Sequence, residues 1–237
     1  MLKIKNFYFN PFSECCTVAS DDSSEAVIVD PGCYDKTETS ALESYISGNG
    51  LKVVKILLTH GHFDHIFGVS ELSELYGVPV LMSPEDYVIL KNNGFFCRQF
   101  GLREPDSSFA GIPDGKSKVS EIKDGDIIEW GDGRKWEVLA TPGHTPGGVC
   151  FLDREAKLLL SGDTLFAGAI GRTDNEWGDY DALIKGINEK LVPLDGDITV
   201  IPGHGPHTTI TDERTKNPFL LPFNEPMEED TEEKQDL

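Results

Sequence analysis

Hydrophobic and polar residues alternate along this chain with two different periods, and the order of the resulting segments predicts its architecture. Residues 2–9, 14–19 and 26–29 have the composition of β-strands and are separated by turn residues, which predicts an antiparallel meander. A helical spacing at 37–47 and an apolar strand at 52–58 follow. Because helix and strand alternate here, helices should cover part of the sheet.

The second half of the chain is again rich in strand segments. The elements predicted from residue 64 onward are a helix at 64–76, a strand at 78–82, a helix opened by Ser83, strands at 119–122, 127–130, 135–140, 148–152 and 157–160, a helix at 180–191 and a strand at 198–201. Each half therefore runs from strands to a helix and a further strand. This order favours a sandwich of two sheets with helices outside.

The segment at 92–118 is the least regular part of the chain, since it combines several glycines and prolines with Phe95, Phe96, Phe100 and Phe109. A loop of this length is usually functional or disordered, and aromatic residues argue against disorder. One interpretation is that the segment covers the mouth of an active site and forms an apolar substrate wall. The other is a satellite hydrophobic cluster with a purely structural role.

Composition and charge narrow the class of protein. A chain of 237 residues suits one domain, predicted at 1–222, followed by an acidic, disordered tail at 223–237. The formal net charge of −20 argues against nucleic acid and other polyanionic partners. No apolar run reaches the roughly 18 residues of a membrane span, and the start of the chain reads as a strand rather than a signal peptide. We therefore expect a soluble, cytoplasmic protein with no membrane partner.

The five cysteines are odd in number and scattered, without the paired spacing of a zinc knuckle or a disulfide framework. We predict buried core thiols and assign no thiolate ligand. Any metal ligands must then be histidines and carboxylates.

Three of the six histidines and one aspartate lie within six consecutive positions, directly after the apolar strand at 52–58. His60 and His62 are two residues apart on an extended chain, so their imidazoles point to the same side and can hold one metal ion. Asp64 and His65 fall where the backbone should turn into a helix, and they point elsewhere. This geometry predicts two adjacent metal ions rather than one.

Further candidate ligands lie at strand ends in the second half. His144, Asp163 and His204 each follow a predicted strand and a glycine, so a rigid backbone aims each side chain. Asp30 ends the third strand before a Pro-Gly turn. Its carboxylate either initiates that turn or orients a metal-bound histidine, and the sequence leaves both interpretations open.

Together these residues resemble those of the metallo-β-lactamase-fold hydrolases along nearly the whole folded chain. The resemblance implies an α/β fold of four layers, αββα, in which two mixed sheets carry helices on their outer faces. It also implies two divalent metal ions, with zinc preferred and iron or manganese as alternatives. The implied ligands are His60, His62 and His144 for the first ion, Asp64, His65 and His204 for the second, and Asp163 as a bridge, with Asp30 behind them orienting a histidine.

Within those hydrolases, residues 165–174 and 202–210 resemble the short glyoxalase II-type enzymes, the hydroxyacylglutathione hydrolases. This subgroup implies that a thioester of a 2-hydroxy acid is hydrolysed to the acid and a thiol. A hydroxide that bridges the two metal ions would be the nucleophile, with Asp64 and Asp163 as the catalytic residues.

Substrate binding is less defined by the resemblance. Arg172 is a candidate for binding a substrate carboxylate, although an ion pair with Asp174 is the simpler interpretation. The chain ends soon after Leu220, so we expect the helical domain that binds glutathione in longer glyoxalase II enzymes to be missing. The acyl group and the thiol carrier of this small-molecule substrate stay open, as do the oligomeric state and the role of His207.

Two rival functions share these residues. A mononuclear iron persulfide dioxygenase of the same fold would use His60, His144 and Asp163 as its two histidines and one carboxylate. From a different class, the chain could be a metal-stabilised binding module whose acidic tail recruits a basic partner. The complete set of ligands favours the hydrolase.

Overall fold

Two six-stranded sheets occupy the centre of the protein, as seen in a computed structural model that describes residues 1–111 and 119–221. The strands of the first sheet are β1 (Lys3–Phe9), β2 (Glu14–Ser20), β3 (Glu25–Val29), β4 (Lys52–Leu57), β5 (Val80–Met82) and β6 (Val119–Glu121). They lie side by side in this order, antiparallel from β1 to β3 and parallel from β3 to β6. The predicted acidic tail lies outside the described residues, so the domain boundary stays a prediction.

The second sheet is also mixed. The remaining strands are β7 (Ile127–Trp130), β8 (Arg134–Ala140), β9 (Val149–Asp153), β10 (Leu158–Gly162), β11 (Leu165–Phe166), β12 (Ala169–Ile170), β13 (Thr199–Pro202) and β14 (Thr208–Thr209). The sheet has the order β14-β13-β10-β9-β8-β7, with β10 and β13 parallel. β11 and β12 form a separate two-stranded ribbon.

Helices flank the two sheets. They are α1 (Lys36–Gly48), α2 (Phe63–Ile66), α3 (Val69–Tyr76), α4 (Tyr87–Phe100), α5 (Tyr180–Gly186) and α6 (Ile210–Lys216), with a 3₁₀ turn at Pro84–Asp86 before α4 and a π-helical turn at Ile187–Leu191 after α5. Within the described ranges, no helix combines the length and the apolar character needed to cross a bilayer. The cytoplasmic location stays a prediction.

Successive residues of the central strands face two different cores, which explains why these strands are buried on both faces. Val27 on β3 belongs to the core between the sheets, together with Trp136 and Phe151 of the second sheet. Its neighbour Ile28 belongs to an outer core that contains Leu42 of α1. The second sheet has a matching outer core against α5. Because side chains alternate along a strand, the layers are helix, sheet, sheet and helix, and the α/β four-layer prediction is confirmed.

The strand predicted at 119–122 is expected to begin the strand-rich second half of the chain. In the structure it is the last strand of the first sheet. β6 pairs in parallel with β5, with Ser120 opposite Leu81, and Ile122 packs in the core between the sheets. Hydrophobic alternation determines which side of a strand is buried, but it carries no information on which neighbour the strand pairs with.

The helix predicted at 64–76 is interrupted and forms α2 and α3. Gly68, between them, donates its N–H to the carbonyl oxygen of Pro31 at 2.9 Å. A Cβ built on Gly68 would lie 2.9 Å from that same oxygen. The loop after β3 therefore approaches the backbone too closely for a side chain, and the helix breaks there.

The prediction of an irregular segment from residue 92 is wrong for its first part, because α4 continues through it to residue 100. Ile89, Asn93 and Cys97 are buried at intervals of four residues, which is the repeat of one helix face. Burial of this face outweighs the unfavourable helix propensity of Gly94. Residues 112–118 of the segment lie outside the described part of the chain.

Neighbouring isoleucines on β7 provide a test of the sheet packing. Ile128 is 4% exposed in the core between the sheets, whereas Ile127 is 53% exposed. Ile128→Ala should lower the free energy of unfolding by about 2–5 kcal/mol, because it leaves a cavity. Ile127→Ala should change it by no more than about 0.5 kcal/mol. Urea denaturation of both variants measures the difference, and equal effects would contradict the assigned faces of β7.

Candidate metal centre

The candidate site begins at the C-terminal ends of β3 and β4. These strands are parallel neighbours, so the residues that follow them meet at one edge of the sheet. The carboxylate of Asp30, after β3, accepts two hydrogen bonds from Thr59, one from the backbone N–H at 2.8 Å and one from the hydroxyl at 2.5 Å. Its Oδ2 also accepts from Nδ1 of His65 at 3.1 Å. These hydrogen bonds support the interpretation that Asp30 orients a histidine.

A chain of hydrogen bonds determines the tautomer of His60. The hydroxyl of Thr59 donates to Asp30, so it accepts from the Nδ1–H of His60 at 3.1 Å. Nε2 of His60 is therefore unprotonated. This nitrogen is buried and has no hydrogen-bond partner in the described part of the chain. An unprotonated ring nitrogen with a free lone pair is the form in which histidine binds a metal ion.

His60, His62 and His144 form the first group of donors. A ring nitrogen from each lies within 4.8 Å of the other two, and Nδ1 of His62 is 2.9 Å from Nε2 of His144. Nδ1 of His144 donates to the carbonyl oxygen of Arg172 at 2.8 Å, which leaves Nε2 directed at the group. The predicted pair on the extended chain thus lies together with a histidine from the second half.

Asp64, His65 and His204 form the second group, again within 4.8 Å of one another. Nε2 of His204 lies 3.2 Å from Oδ2 of Asp64 and 3.3 Å from Nε2 of His65. Nδ1 of His204 donates to the carbonyl oxygen of Phe12 at 3.1 Å. Each of these two histidines therefore has one nitrogen committed to an oxygen acceptor and the other facing the group.

Asp163 lies between the two groups. Its Oδ2 is 3.5 Å from Nε2 of His144 in the first group and 3.7 Å from Nε2 of His204 in the second. Its Oδ1 is 3.5 Å from Nε2 of His65, and this buried oxygen has no hydrogen-bond partner among the described residues. Asp163 is the residue for which the family resemblance implies a bridging role.

Glycines allow the backbone to pack closely behind these donors. Gly162 has a φ of 49°, and a Cβ there would lie 2.3 Å from Oγ1 of Thr59. A Cβ on Gly203 would lie 2.3 Å from Oδ1 of Asp163. A Cβ on Gly203 would also lie 2.7 Å from Cε1 of His65, so the glycine before each of these candidate ligands makes room for a residue of the first half of the chain.

Burial and charge set the protonation states of the donors. Burial lowers the pKa of His62 to about 3 and the pKa of His60 well below its usual value. Burial opposes protonation of His65 as well, but the charges of Asp64 and Asp163 outweigh it and raise the pKa of His65 to about 9. The site therefore combines neutral imidazoles at His60 and His62 with carboxylates whose negative charge favours a cation at His65, and the same charge attracts metal cations.

These observations fit divalent metal ions. Imidazole nitrogens and carboxylate oxygens suit zinc, iron and manganese, and a buried atom of His60 and one of Asp163 have no hydrogen-bond partner among the described residues. The five cysteines are buried and free, and none belongs to a donor group in the described residues. His207, which has no predicted ligand role, lies 2.8 Å from the Asn6 side chain and outside both groups.

Asp86 is a structural residue of the site that the sequence did not single out. Its fully buried carboxylate accepts hydrogen bonds from the N–H of Gly61 at 2.7 Å, the hydroxyl of Thr145 at 2.9 Å and the N–H of Gly147 at 2.6 Å. Gly61 lies between the first two histidines, and Thr145 follows His144. Asp86 thus connects the two loops that supply the first group. In the sequence it is only one of several acidic residues at a helix start, so no local signal marks it.

Glu14 is a second buried carboxyl group that the sequence did not indicate. It is fully buried on β2, its Oε1 is 4.0 Å from Nδ1 of His65, and neither carboxyl oxygen has a hydrogen-bond partner in the described chain. Burial, and then the charge of Asp30, raises the pKa of Glu14 well above its usual value. A glutamate at the start of a strand is ordinarily exposed, so the residue type does not predict the burial of Glu14.

A cavity of about 570 Å³ opens onto both groups of donors. Phe96 and Phe100, from the segment predicted to form an aromatic wall, line this cavity. Phe109, from the same segment, is buried instead in the outer core against the first sheet. Each of the two interpretations of that segment therefore applies to some of its residues.

Arg172 also lines the cavity, but its side chain is paired. Its Nε donates to Oδ1 of Asp174 at 3.0 Å. The pair is largely exposed and so contributes little to stability. The simpler interpretation of the Arg172 side chain agrees with this ion pair, while its carbonyl oxygen has a role at His144 that the sequence did not suggest.

Comparison with known families and relatives agrees with this geometry. Residues 12–204 match the family described as the Metallo-beta-lactamase superfamily. A curated relative, hydroxyacylglutathione hydrolase GloC of Haemophilus influenzae, is 40% identical over 210 residues, which cover 88% of this chain and 93% of the relative.

Two solved structures have the same fold at 33% sequence identity. The crystal structure of the BLEG-1 B3 metallo-beta-lactamase superposes with a TM-score of 0.81, covering 92% of this chain and 99% of that one. The crystal structure of TTHA1623 in a di-iron-bound form has a TM-score of 0.77, covering 91% of this chain and all of that one. The fold assignment therefore has support from relatives that are similar along most of their length.

Replacing Asp86 tests the connection between the two loops. Asp86→Ala leaves three donors unpaired, at a cost of about 1–3 kcal/mol for each that stays buried. We expect a lower free energy of unfolding and weaker metal binding, measured by urea denaturation and by competition with a chelator. Glu155→Ala, on the exposed turn between β9 and β10, is the control and should change neither. Wild-type metal affinity in Asp86→Ala would contradict the proposed role.

Proposed function

The chain belongs to the metallo-beta-lactamase superfamily, and we propose that this metal-dependent hydrolase cleaves thioesters by using two divalent ions, with zinc preferred. The observation that carries the proposal is the pair of donor groups that meet at Asp163. The similarity to the relative named as a hydroxyacylglutathione hydrolase supports a thioester of a 2-hydroxy acid as the substrate class.

Divalent ions bound at these groups would supply Lewis-acid chemistry, polarising a carbonyl oxygen and lowering the pKa of a bound water molecule. The protein contributes the orientation of the donors. Asp30 holds Thr59 and His65, and the carbonyl oxygens of Phe12 and Arg172 hold His204 and His144. Each ligand histidine restrained in this way presents one defined nitrogen to the site.

Asp64 has the properties of a group that orients the nucleophile. It is buried in α2, and its Oδ2 lies 3.2 Å from Nε2 of His204. Burial alone would raise its pKa, but the neighbouring charges of His65 and His204 lower it overall, so Asp64 stays ionised. A carboxylate in this position can accept a hydrogen bond from the attacking water or hydroxide. The departing thiolate is stable enough that no strong general acid is required.

The rival persulfide dioxygenase would need one iron ion and only His60, His144 and Asp163. The second donor group would then have no catalytic use, although its three members are held as closely as those of the first. The complete second group therefore favours the hydrolase. The similarity to TTHA1623, which was crystallised with two irons, keeps iron as an alternative metal.

Metal analysis separates the two functions. Protein purified without added metal should contain up to two divalent ions per chain and should hydrolyse a panel of thioesters that differ in acyl group and thiol. The assay combines elemental analysis with detection of the released thiol. One iron per chain, oxygen uptake with a persulfide and no released thiol would contradict the hydrolase.

Asp163→Ala tests the shared carboxylate. A ligand that serves both groups should be needed for both ions, so we expect the variant to lose one or two ions. Turnover should fall by more than the roughly 10–100-fold that is typical when a residue hydrogen-bonded to a metal ligand is removed. Asp181→Ala, in the exposed first turn of α5, is the control and should keep both. Full metal content with a wild-type rate in Asp163→Ala would refute the assignment.

A further inference from the structure

The wall of the active-site cavity is built from aromatic side chains that come from separate parts of the chain. Those that line it are Phe12, Phe63, Phe96, Phe100 and Phe166. Phe12 meets Phe63 edge to face at 5.4 Å between ring centroids, and it meets Phe100 in the same way at 5.3 Å. The sequence places them far apart, so the fold has assembled one apolar surface from several segments.

Phe100 is the member of this surface that is most open to solvent. Its side chain is 56% exposed, although it lies in a cavity and contacts both Phe12 and Phe63. A large apolar side chain left uncovered at the rim of a pocket is available to a ligand.

The aromatic surface continues up to the metal ligands. The ring of Phe96 is 6.2 Å from that of His62, and the ring of Phe166 is 6.5 Å from that of His204. Phe96 also packs edge to face against Trp177 at 5.8 Å. A substrate whose reacting carbonyl reaches the donor groups would therefore have its adjoining groups against aromatic rings.

The charges in the cavity do not suit a strongly anionic carrier. Apart from the histidines, Arg172 is the one cation among the described residues that line it, and Arg172 pairs with Asp174. Gln99 and Asn175 complete the polar part of the lining and are neutral. Carboxylates of a peptide thiol would find no unpaired arginine or lysine on the described wall.

We infer that the cavity selects thioesters that carry an aromatic ring on the acyl or the thiol side, in preference to thioesters of a charged peptide thiol. The inference rests on the proposed thioester hydrolysis and narrows its substrate class. An aromatic ring contributes a large apolar area and can pack edge to face against the phenylalanines of the wall.

The test compares pairs of substrates that differ in one group, using the zinc-loaded protein. 3-Phenyllactoyl against lactoyl thioesters of N-acetylcysteamine probe the acyl side, and lactoyl thioesters of benzyl mercaptan against N-acetylcysteamine probe the thiol side. S-lactoylglutathione supplies the charged carrier. We expect kcat/KM for the ring-bearing member of at least one pair to be on the order of tenfold higher, as expected for burying an apolar side group, and S-lactoylglutathione to gain no advantage.

Two exposed phenylalanines of α4 provide the matched variants. Phe100→Ala should remove most of the preference for a ring by raising KM for the ring-bearing substrate. Phe95→Ala should keep the preference, because Phe95 is similarly exposed at 54% and packs against Phe96 at 5.8 Å between ring centroids without lining the cavity itself. Calorimetry provides a readout without turnover, since phenylacetate should bind more tightly than acetate to the wild type and should lose this advantage in Phe100→Ala.

The possible failures are distinguishable. Hydrolysis with no ring preference, or with S-lactoylglutathione as the best substrate, would overturn the inference and leave thioester hydrolysis standing. Absence of hydrolysis for every thioester would overturn the proposed function and the inference that rests on it. Equal binding of phenylacetate and acetate, together with equal binding of benzyl mercaptan and N-acetylcysteamine, would refute the aromatic subsite whatever the turnover.

Discussion

The buried carboxylate of Asp86 is the interaction on which the geometry of the site depends, because it joins loops from the two halves of the chain. Its hydrogen bonds to Gly61 and Gly147 hold the backbone on either side of the first donor group. A backbone hydrogen bond of 2.8 Å from Val149 to Thr59 connects the same two halves. Candidate metal ligands that come from separate sheets can converge only if such connections fix the position of one sheet relative to the other.

Burying so many ionisable groups together is costly unless each is paired or neutralised. The site meets this requirement by giving each histidine a defined acceptor or a low pKa, and by surrounding His65 with carboxylates. The unpartnered nitrogen of His60 and oxygen of Asp163 are the exceptions at the centre. Both lie where a cation would compensate them, so the electrostatic balance and the proposed metal chemistry depend on the same few atoms.

The donor groups bear on the chemistry of the reaction, whereas the aromatic wall around them bears on the choice of substrate. Relatives named as a hydroxyacylglutathione hydrolase and as a metallo-beta-lactamase are similar to this chain over most of its length. A shared fold can serve several chemistries, so substrate choice has to be argued from the surface next to the donors. In this protein that surface is aromatic, and the one arginine among the described residues that line it is already paired.

The sequence by itself determined the alternation of strands and helices, and it identified the candidate ligands and their positions at strand ends. These features are local, since His60 and His62 share one side of an extended segment whatever surrounds it. The tertiary structure decided what depends on contacts between distant segments. It placed β6 in the first sheet, continued α4 through Gly94, and brought Asp86 and Glu14 into the interior. Pairing and burial of that kind arise from packing between segments, and one-dimensional patterns of hydrophobicity do not record them.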